Sequence, residues 1–233
     1  MIFYAPNIKS DFTLSEEESA HAVRVLRLQA GDDIDIVDGA GGLYKALITN
    51  PHPKHCEFEI KESVLEFGKK DYKLHIAIAP TKNIERLEWF VEKCTEIGID
   101  EITPIICRFS ERKIIKPERI EKIIVSAAKQ SLKAYFPKLN PMISFSDFVK
   151  KADVSKKFIA HCHDLKKKPF QSVCEKSSNT LILIGPEGDF SQEEVESALL
   201  CNFQAVSLSE SRLRTETAGI VACHTVSLIN ESI

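Results

Sequence analysis

The stretch TLILIGPEGDFSQEEVESALL, residues 180–200, decides the fold class. An apolar run typical of a buried strand ends at Ile184 and is followed by the tight turn Gly-Pro-Glu-Gly of residues 185–188. Ser191 and Glu194 then have the spacing of a capping box, which predicts that a helix begins there. A buried strand that leads directly into a helix is the repeating unit of α/β proteins.

A second stretch, AVSLSESRLRTETAGIV at residues 205–221, repeats this pattern. Its strand ends near Leu208, its polar loop carries Arg212 and Arg214, and its helix begins near Thr215. Neither loop has the sequence of a Walker phosphate-binding loop or of a GxGxxG dinucleotide-binding turn. The loops are therefore either ordinary strand–helix connections or a ligand site whose backbone N–H and C=O groups bind an adenine edge and ribose hydroxyls.

Strand-like runs and amphipathic helices alternate through the rest of the chain from about residue 72. One predicted helix, residues 84–98, has an apolar stripe and a stop signal at Gly98. Another, residues 116–136, has Pro117 near its start. This alternation predicts a parallel sheet covered by helices, and we assign residues 71–233 to this α/β domain.

Residues 1–70 have a different pattern. Ser15 followed by Glu18 predicts a second capping box and a short helix that stops near Gly31. Short strand-like runs follow, separated by the turn signals GAGG and NPHPK. Short strands joined by tight turns predict a small β-barrel as a separate N-terminal domain.

Composition restricts the class of protein. No apolar run is long enough to span a membrane and the N-terminus lacks the pattern of a signal peptide, so we expect a cytoplasmic protein without a membrane partner. The seven cysteines include no CxxC pair, which argues against a disulfide framework and against a zinc site.

The charge is distributed unevenly. Residues 108–138 carry nine Lys or Arg against three Glu, although the net charge of the whole chain is −3. A basic segment in an otherwise acidic chain is typical of a surface that binds a polyanion such as RNA, and also of an ordinary solvated helix face.

Several of these motifs, taken together, resemble the RsmE family of 16S ribosomal RNA uridine-N3 methyltransferases, which belong to the SPOUT superfamily. The resemblance covers nearly the whole chain. It is carried, in family order, by HAVRVLRLQAGDDIDIVDG (21–39), ERLEWFVEKCTEIGIDEITPI (85–105), AAKQSLKAYFPKL (127–139), LIGPEGDFS (183–191) and LRTETAGI (213–220).

The resemblance implies the fold, the cofactor and the assembly. It implies an N-terminal PUA-like β-barrel that binds RNA and a C-terminal SPOUT domain with a deep trefoil knot, an exception to the usual unknotted topology. It also implies a homodimer that uses S-adenosylmethionine to methylate N3 of a specific uridine in 16S rRNA, in the assembled small ribosomal subunit. No metal is expected for this chemistry.

The family's cofactor-binding positions are carried over from both loops. One side of the pocket would be lined by Ile184, Gly185, Pro186, Glu187 and Gly188, and the other by Leu208, Ser209, Leu213, Arg214, Thr215, Thr217 and Ala218. The chain departs from the family pattern at Asp189, where a glycine is usual. It departs again at LSESRLR (208–214), where the loop arginine is shifted to Arg212.

The chemistry of the resembled reaction suggests two catalytic residues. Removing the N3 proton spreads negative charge over the flanking carbonyl oxygens of uracil, and a preorganised cation such as Arg214 would stabilise that charge. Glu216 would either accept the proton or favour the helix N-terminus and pair with a neighbouring arginine.

RNA contacts are expected from both domains. The candidate residues are Arg24, Arg27, Arg108, Arg112, Lys113, Arg119, Gln130 and Lys133. Their phosphate contacts would make RNA affinity depend on salt, and the target base would have to turn out of its stack to reach the pocket.

Several alternatives stay open on the sequence. The chain could be a non-catalytic RNA-binding factor in ribosome assembly, or a SPOUT methyltransferase that acts on another RNA such as tRNA. His161, Cys162 and His163 invite a metal hypothesis, but side chains that alternate between the faces of a strand cannot all converge on one ion. A strand edge near the cofactor is the favoured interpretation of this cluster. The sequence identifies neither the general base nor the role of Arg212, and it does not distinguish naked RNA from the assembled subunit as the substrate.

Overall fold

A computed structural model describes residues 2–231, and the chain divides into two compact units. One unit consists of the chain through Lys69 together with Val125–Phe136. The other consists of Lys70–Ile124 together with the chain from Pro137 onward. The first unit is therefore discontinuous in sequence.

The first unit is built around a four-stranded sheet with the order β1-β2-β3-β4. Its elements are β1 (Ile2–Tyr4), α1 (Glu16–Ala20), a π-helical turn (His21–Val25), β2 (Asp33–Val37), β3 (Leu43–Asn50) and β4 (Glu57–Val64). β1 pairs with β2 in parallel, and the other two pairings are antiparallel. One face of the sheet buries a core that includes Phe3, Ile36, Ile48 and Phe58.

The predicted capping box at α1 is only half formed. The Ser15 hydroxyl accepts a hydrogen bond from the backbone N–H of Glu18, as predicted. The Glu18 carboxylate does not return to the backbone of Ser15, because it forms an ion pair with Lys129 instead, with Oε1 and Nζ 2.5 Å apart. A charge-assisted hydrogen bond to a cation stabilises a buried carboxylate more than a hydrogen bond from one exposed backbone N–H group does.

The second unit has a parallel sheet with the order β10-β12-β9-β11-β5-β6-β7, and β8 also pairs with β6. Its elements are β5 (Leu74–Ile78), α2 (Ile84–Ile97), β6 (Glu101–Ile106), α3 (Pro117–Gln130, whose part from Val125 onward belongs to the first unit), β7 (Lys138–Leu139), β8 (Ile143–Ser144), α4 (Phe145–Lys151), β9 (Lys156–Ala160), β10 (Lys168–Pro169), β11 (Thr180–Ile184), α5 (Gln192–Leu200), β12 (Gln204–Ser207) and α6 (Thr215–Glu231). Every described pairing in this sheet is parallel. The fold is thus mixed α/β, as predicted.

The predicted strand of residues 180–184 lies in the middle of this sheet. β11 pairs with β9 on one side and with β5 on the other, and all its residues are buried. α2 begins at the N-cap Asn83 and ends at Gly98, whose φ of 118° is available to glycine at little cost. No helix in the described part of the chain combines the length and apolar character needed to cross a membrane.

The helix predicted for residues 116–136 is too long. α3 ends at Gln130, and Leu132 has a left-handed φ of 57°. Beyond it, Tyr135 forms an antiparallel bridge with Ala40, and the N–H of Phe136 donates to the carbonyl of Gly39 at 3.0 Å. These backbone hydrogen bonds replace those that a longer helix would have made.

Candidate active site

The carboxyl ends of three neighbouring parallel strands, β9, β11 and β12, open onto one cavity of about 660 Å³. It is lined by residues 160–162 at the end of β9, by residues 184–187 and Asp189 at the end of β11, and by residues 206–215 at the end of β12. Ligands of open α/β sheets bind at this edge, and the volume is within the range of small-molecule pockets. The two loops singled out in the sequence therefore face the same space.

Most of the residues predicted to bind a cofactor line this cavity. They are Ile184, Gly185, Pro186, Glu187, Leu208, Ser209, Leu213, Arg214, Thr215 and Ala218. Gly188 and Thr217 are not among the lining residues. At Gly188 a Cβ would lie 3.0 Å from the Cβ of Phe109, so this glycine permits the close approach of another loop.

A third wall of the cavity lies outside the two loops predicted to bind the cofactor, at the segment for which the sequence favoured a strand edge near the cofactor. It is formed by Ala160, the last residue of β9, and by His161 and Cys162, with Lys167 a few residues further on. Asp189 and Arg212 also line the cavity. The neighbouring positions of β9, β11 and β12 in the sheet bring this segment to the cavity. Without the strand order, the sequence did not identify its residues as cofactor-binding.

Asp189 stabilises the turn after β11 at the position where the family pattern has glycine. Its φ is +67°, a conformation that costs aspartate less than most residues because its short side chain can bond to nearby backbone. Here the carboxylate accepts from the N–H of Phe190 at 2.8 Å and from the N–H of Cys162 at 2.7 Å. Asp189 therefore ties the loop after β11 to the segment after β9.

Thr215, the first residue of α6, joins the other two walls. Its hydroxyl is buried and donates to the carbonyl of Gly185 at 3.0 Å. The N–H of Ala218 donates to the carbonyl of Arg214 at 2.8 Å and closes the first turn of the helix. The position of Arg214 is thus fixed by hydrogen bonds at the start of α6.

The two predicted catalytic residues have opposite environments. Arg214 is exposed, and its guanidinium forms no hydrogen bond or ion pair with any residue in the described range 2–231. Glu216 is buried, with its Oε1 3.8 Å from Nε of Arg86 on α2 and its Oε2 without a hydrogen-bond partner among those same residues. Arg214 is available to a ligand, whereas Glu216 already has a cationic neighbour.

The cluster His161–Cys162–His163 lies beyond β9, which ends at Ala160, so the predicted alternation on a strand does not apply. The Lys167 ammonium donates to the carbonyls of His161 and His163, at 3.0 and 2.5 Å. Nε2 of His163 donates to the carbonyl of Phe190 at 2.7 Å. Among residues 2–231, no group of three or more His, Cys, Asp or Glu side chains could hold a metal ion.

In the first unit, the predicted RNA-binding residues lie around the π-helical turn and the end of α3. Arg24 and Arg27 are exposed, and Arg27 has a left-handed φ of 57°. Gln130 is exposed and Lys133 is half-buried.

In the second unit, some of the predicted RNA-binding side chains are bound to other groups of the protein and some are not. Arg108 and Lys113 are exposed, and their side chains make no bond to another described residue. Arg112 donates to the carbonyls of Thr81 and Lys82, at 3.0 and 2.7 Å, and Arg119 donates to Glu88 at 2.8 Å. The structure thus separates two available cations from two that hold parts of the protein together.

Comparison with known proteins places this geometry in a family. Residues 68–227 match the RNA methyltransferase domain, and residues 14–61 match the RNA methyltransferase PUA domain. The ribosomal RNA small subunit methyltransferase E of Synechocystis is 30% identical over 234 residues, which cover 97% of this chain and 75% of the relative. The chain belongs to the RsmE family.

Solved structures of similar proteins agree with the RsmE assignment. A probable rRNA-methyltransferase from Porphyromonas gingivalis is 43% identical, with a TM-score of 0.94 and 98% of each chain covered. A putative methyltransferase from Legionella pneumophila, solved with bound cofactor SAM, is 28% identical. Its TM-score is 0.86, and the match covers 98% of this chain and 97% of the other. The chain accordingly combines an N-terminal PUA-like domain with an RNA methyltransferase domain.

Proposed function

We propose that the protein transfers the methyl group of S-adenosylmethionine to N3 of a specific uridine in 16S rRNA, within the assembled small ribosomal subunit. The observation that carries this proposal is the single cavity formed by the two loops that match the RsmE motifs. Membership of the RsmE family supports the reaction, and the SAM-bound relative from Legionella supports the cofactor.

The cavity residues fit S-adenosylmethionine. The cavity is large enough for a ligand of this size, and the residues around it bring backbone groups of two loops together with apolar side chains such as Ile184, Leu208 and Leu213. A buried polar side chain on its wall, His161, has no hydrogen-bond partner in the described part of the protein. When bound, the cofactor supplies an electrophilic methyl group on a sulfonium.

In this proposal, residues 184–187 hold one side of the cofactor, and Leu208, Ser209, Leu213, Thr215 and Ala218 hold the other, within the trefoil knot of the SPOUT fold. Gly188 and Thr217 act indirectly, through the shape of the turn and the first turn of α6. Much of the rate acceleration then comes from holding the methyl group and the base in reacting geometry.

Arg214 stabilises the uracil as its N3 proton leaves. Its guanidinium is exposed beside the cavity and its backbone is fixed by the start of α6, so it can donate to a carbonyl oxygen of the base. Preorganised donors of this kind act because they need no reorganisation as charge develops.

Glu216 is assigned to holding this region in place. Its burial at the N-terminus of α6 and its proximity to Arg86 favour a structural pairing over a group that receives a proton from solvent-accessible RNA. Direct proton acceptance by Glu216 is the competing role, and the two differ in their pH dependence.

RNA binding uses the exposed cations of each unit. Arg24 and Arg27 of the PUA-like domain, with Arg108 and Lys113 of the methyltransferase domain, are the favoured phosphate contacts. Their side chains are exposed and form no hydrogen bond or ion pair with the described residues, although the charge of Arg108 lies near Glu193. Gln130 and Lys133 add polar contacts, whereas Arg112 and Arg119 act chiefly through the protein groups they bind. The functional form is a homodimer, as in the family that the sequence resembles.

The deciding experiment is methyl transfer from labelled S-adenosylmethionine to small ribosomal subunits that lack N3-methyluridine. Free 16S rRNA and bulk tRNA are assayed in parallel, and the product is located by mass spectrometry. We expect one N3-methyluridine in 16S rRNA of assembled subunits. Label in tRNA alone would show another RNA as the substrate, and absence of label with an active control enzyme would favour a non-catalytic assembly factor.

A further inference from the structure

His161 is the buried polar side chain of the cavity that the mechanism above leaves without a role. It follows the last residue of β9 and lines the cavity, and only 6% of its surface is exposed. Neither Nδ1 nor Nε2 has a hydrogen-bond partner among residues 2–231.

An imidazole buried in this way is costly unless something completes its hydrogen bonds. A neutral imidazole has one N–H donor and one acceptor nitrogen, and buried polar groups in folded proteins almost always have partners. His163, two residues later, shows the ordinary solution, since its Nε2 donates to the carbonyl of Phe190. Because His161 lines the cavity, a ligand bound there could supply its missing hydrogen bonds.

The surroundings keep the His161 ring uncharged. Burial, with the nearby positive charge of Lys167, lowers the pKa of His161 to about 4, and Asp189 opposes this only in part. Lys167 is itself held in place by the carbonyls of His161 and His163. A neutral ring can both donate and accept, and it adds no positive charge to a pocket that must hold a sulfonium.

We infer that His161 is a cofactor-binding residue whose neutral imidazole hydrogen-bonds an uncharged group of the nucleoside part of S-adenosylmethionine. The hydrogen-bonding groups of the methionyl part are an ammonium and a carboxylate, which are better matched by charged or solvated partners. The ribose hydroxyls and the adenine edge are uncharged and suit a ring that donates and accepts. This inference rests on the proposed use of S-adenosylmethionine.

The competing explanation is that His161 only fills space beneath the cavity. Two variants distinguish these roles: His161→Phe keeps a ring of similar size without nitrogens, and His161→Gln keeps a donor and an acceptor. His163→Gln is the matched control, because the ring of His163 bonds to the protein itself.

Dissociation constants for S-adenosylmethionine, S-adenosylhomocysteine and methylthioadenosine are measured by calorimetry, with Tm recorded for every variant. Methylthioadenosine tests the nucleoside assignment because it lacks the amino-acid part. We expect His161→Phe to weaken all three ligands about tenfold, the scale of one lost hydrogen bond, with Tm unchanged or raised. His161→Gln retains most of the affinity, and His163→Gln changes it less than twofold.

The ring is also observed directly by NMR. We expect the His161 ring resonances of the free protein to show no titration between pH 5.5 and 8 and to shift when methylthioadenosine binds. Wild-type affinity for all three ligands in His161→Phe would overturn the inference, and a loss confined to the two ligands with a methionyl part would overturn the nucleoside assignment. If the wild-type protein binds none of the three, the proposed function itself fails.

Discussion

At the scale of single residues, the two arginines of the 208–214 loop differ in how firmly their backbone is held. Both line the cavity and both are exposed. Arg214 directly precedes α6, where its own carbonyl accepts the first helical hydrogen bond, whereas Arg212 lies within the polar part of the loop. A catalytic cation has to be held in place before the reaction, so Arg214 is the better placed of the two.

We therefore expect Arg214→Ala to lower the single-turnover rate of methyl transfer about 10²–10³-fold, as when one preorganised donor is removed. Cofactor affinity, measured by calorimetry, stays within a few-fold of wild type. Arg212→Ala is the control from the same loop and loses less than tenfold. Equal losses in the two variants would show that the loop acts through its total charge.

Glu216 allows a second prediction at this scale. If it pairs with Arg86, Glu216→Gln keeps the shape and some hydrogen bonding of the side chain and lowers the rate less than about tenfold, with the pH profile unchanged. A general base is worth about 10²–10⁴-fold. A loss of that size, together with disappearance of the acidic limb of the pH–rate profile, would identify Glu216 as the proton acceptor.

His161 shows which part of the site a sequence can reveal. The loops at 184–189 and 208–215 were predicted because each stands between a strand and a helix in a recognisable pattern. His161 was placed on a strand by the same kind of reasoning, but β9 ends one residue earlier and the burial of the ring depends on neighbouring strands. Contacts between segments far apart in sequence leave no local pattern.

At the scale of elements, the two Ser-x-x-Glu motifs have different outcomes. At α5 the box is complete: Ser191 accepts from the N–H of Glu194, and the Glu194 carboxylate accepts from the N–H of Ser191. The same carboxylate accepts from the N–H of Arg108 at 2.8 Å, so it also fixes the loop after β6. At the other motif, the Glu18 carboxylate forms an ion pair with Lys129 and does not bond to the backbone of Ser15.

Glu194→Ala should consequently destabilise the protein more than Ser191→Ala does. Loss of one cap hydroxyl costs about 1 kcal/mol, whereas loss of a carboxylate that accepts two backbone hydrogen bonds costs about 1.5–3 kcal/mol. Glu196→Ala, an exposed change on the same helix, is the control and stays within about 0.5 kcal/mol. Urea unfolding measures all three, and equal effects of Glu194→Ala and Ser191→Ala would contradict the double role of the carboxylate.

Elements with a clear apolar pattern can be predicted from the sequence, and elements defined only by pairing cannot. Strands β2 to β6, β9, β11 and β12 and helices α2, α5 and α6 each have a clear apolar pattern. Strands β1, β7 and β10 span only two or three residues, so they are defined by what they pair with. The end of α3 was misplaced for the same reason, because hydrogen bonds to residues 39–41 set it.

At the scale of the whole molecule, fewer cations are available to bind RNA than the sequence suggested. Nine Lys or Arg lie in residues 108–138, but Arg112, Arg119 and Lys129 are engaged with protein carbonyls or carboxylates. The number of cations in a segment thus overstates the number that RNA can use. Counterion release depends on the cations that actually reach phosphates.

RNA binding at several salt concentrations separates these groups. Arg108→Ala and Lys113→Ala should each reduce the slope of log Kd against log salt by about one, as expected for one lost phosphate contact. Arg112→Ala and Arg119→Ala should change Tm more than they change the slope. If all four variants lowered the slope equally, Arg112 and Arg119 would have to exchange their protein contacts for phosphate contacts when RNA binds.

The first unit is completed only by residues far along the chain. Ile2, Val37 and Ala134 form one apolar cluster, and the N–H of Gly41 donates to the carbonyl of Ala134 at 2.9 Å. During synthesis, the N-terminal segment therefore has to wait for residue 136 to leave the ribosome before its unit can close. A fragment cut after Lys69 would lack these partners, so the PUA-like domain is best expressed and studied within the full chain.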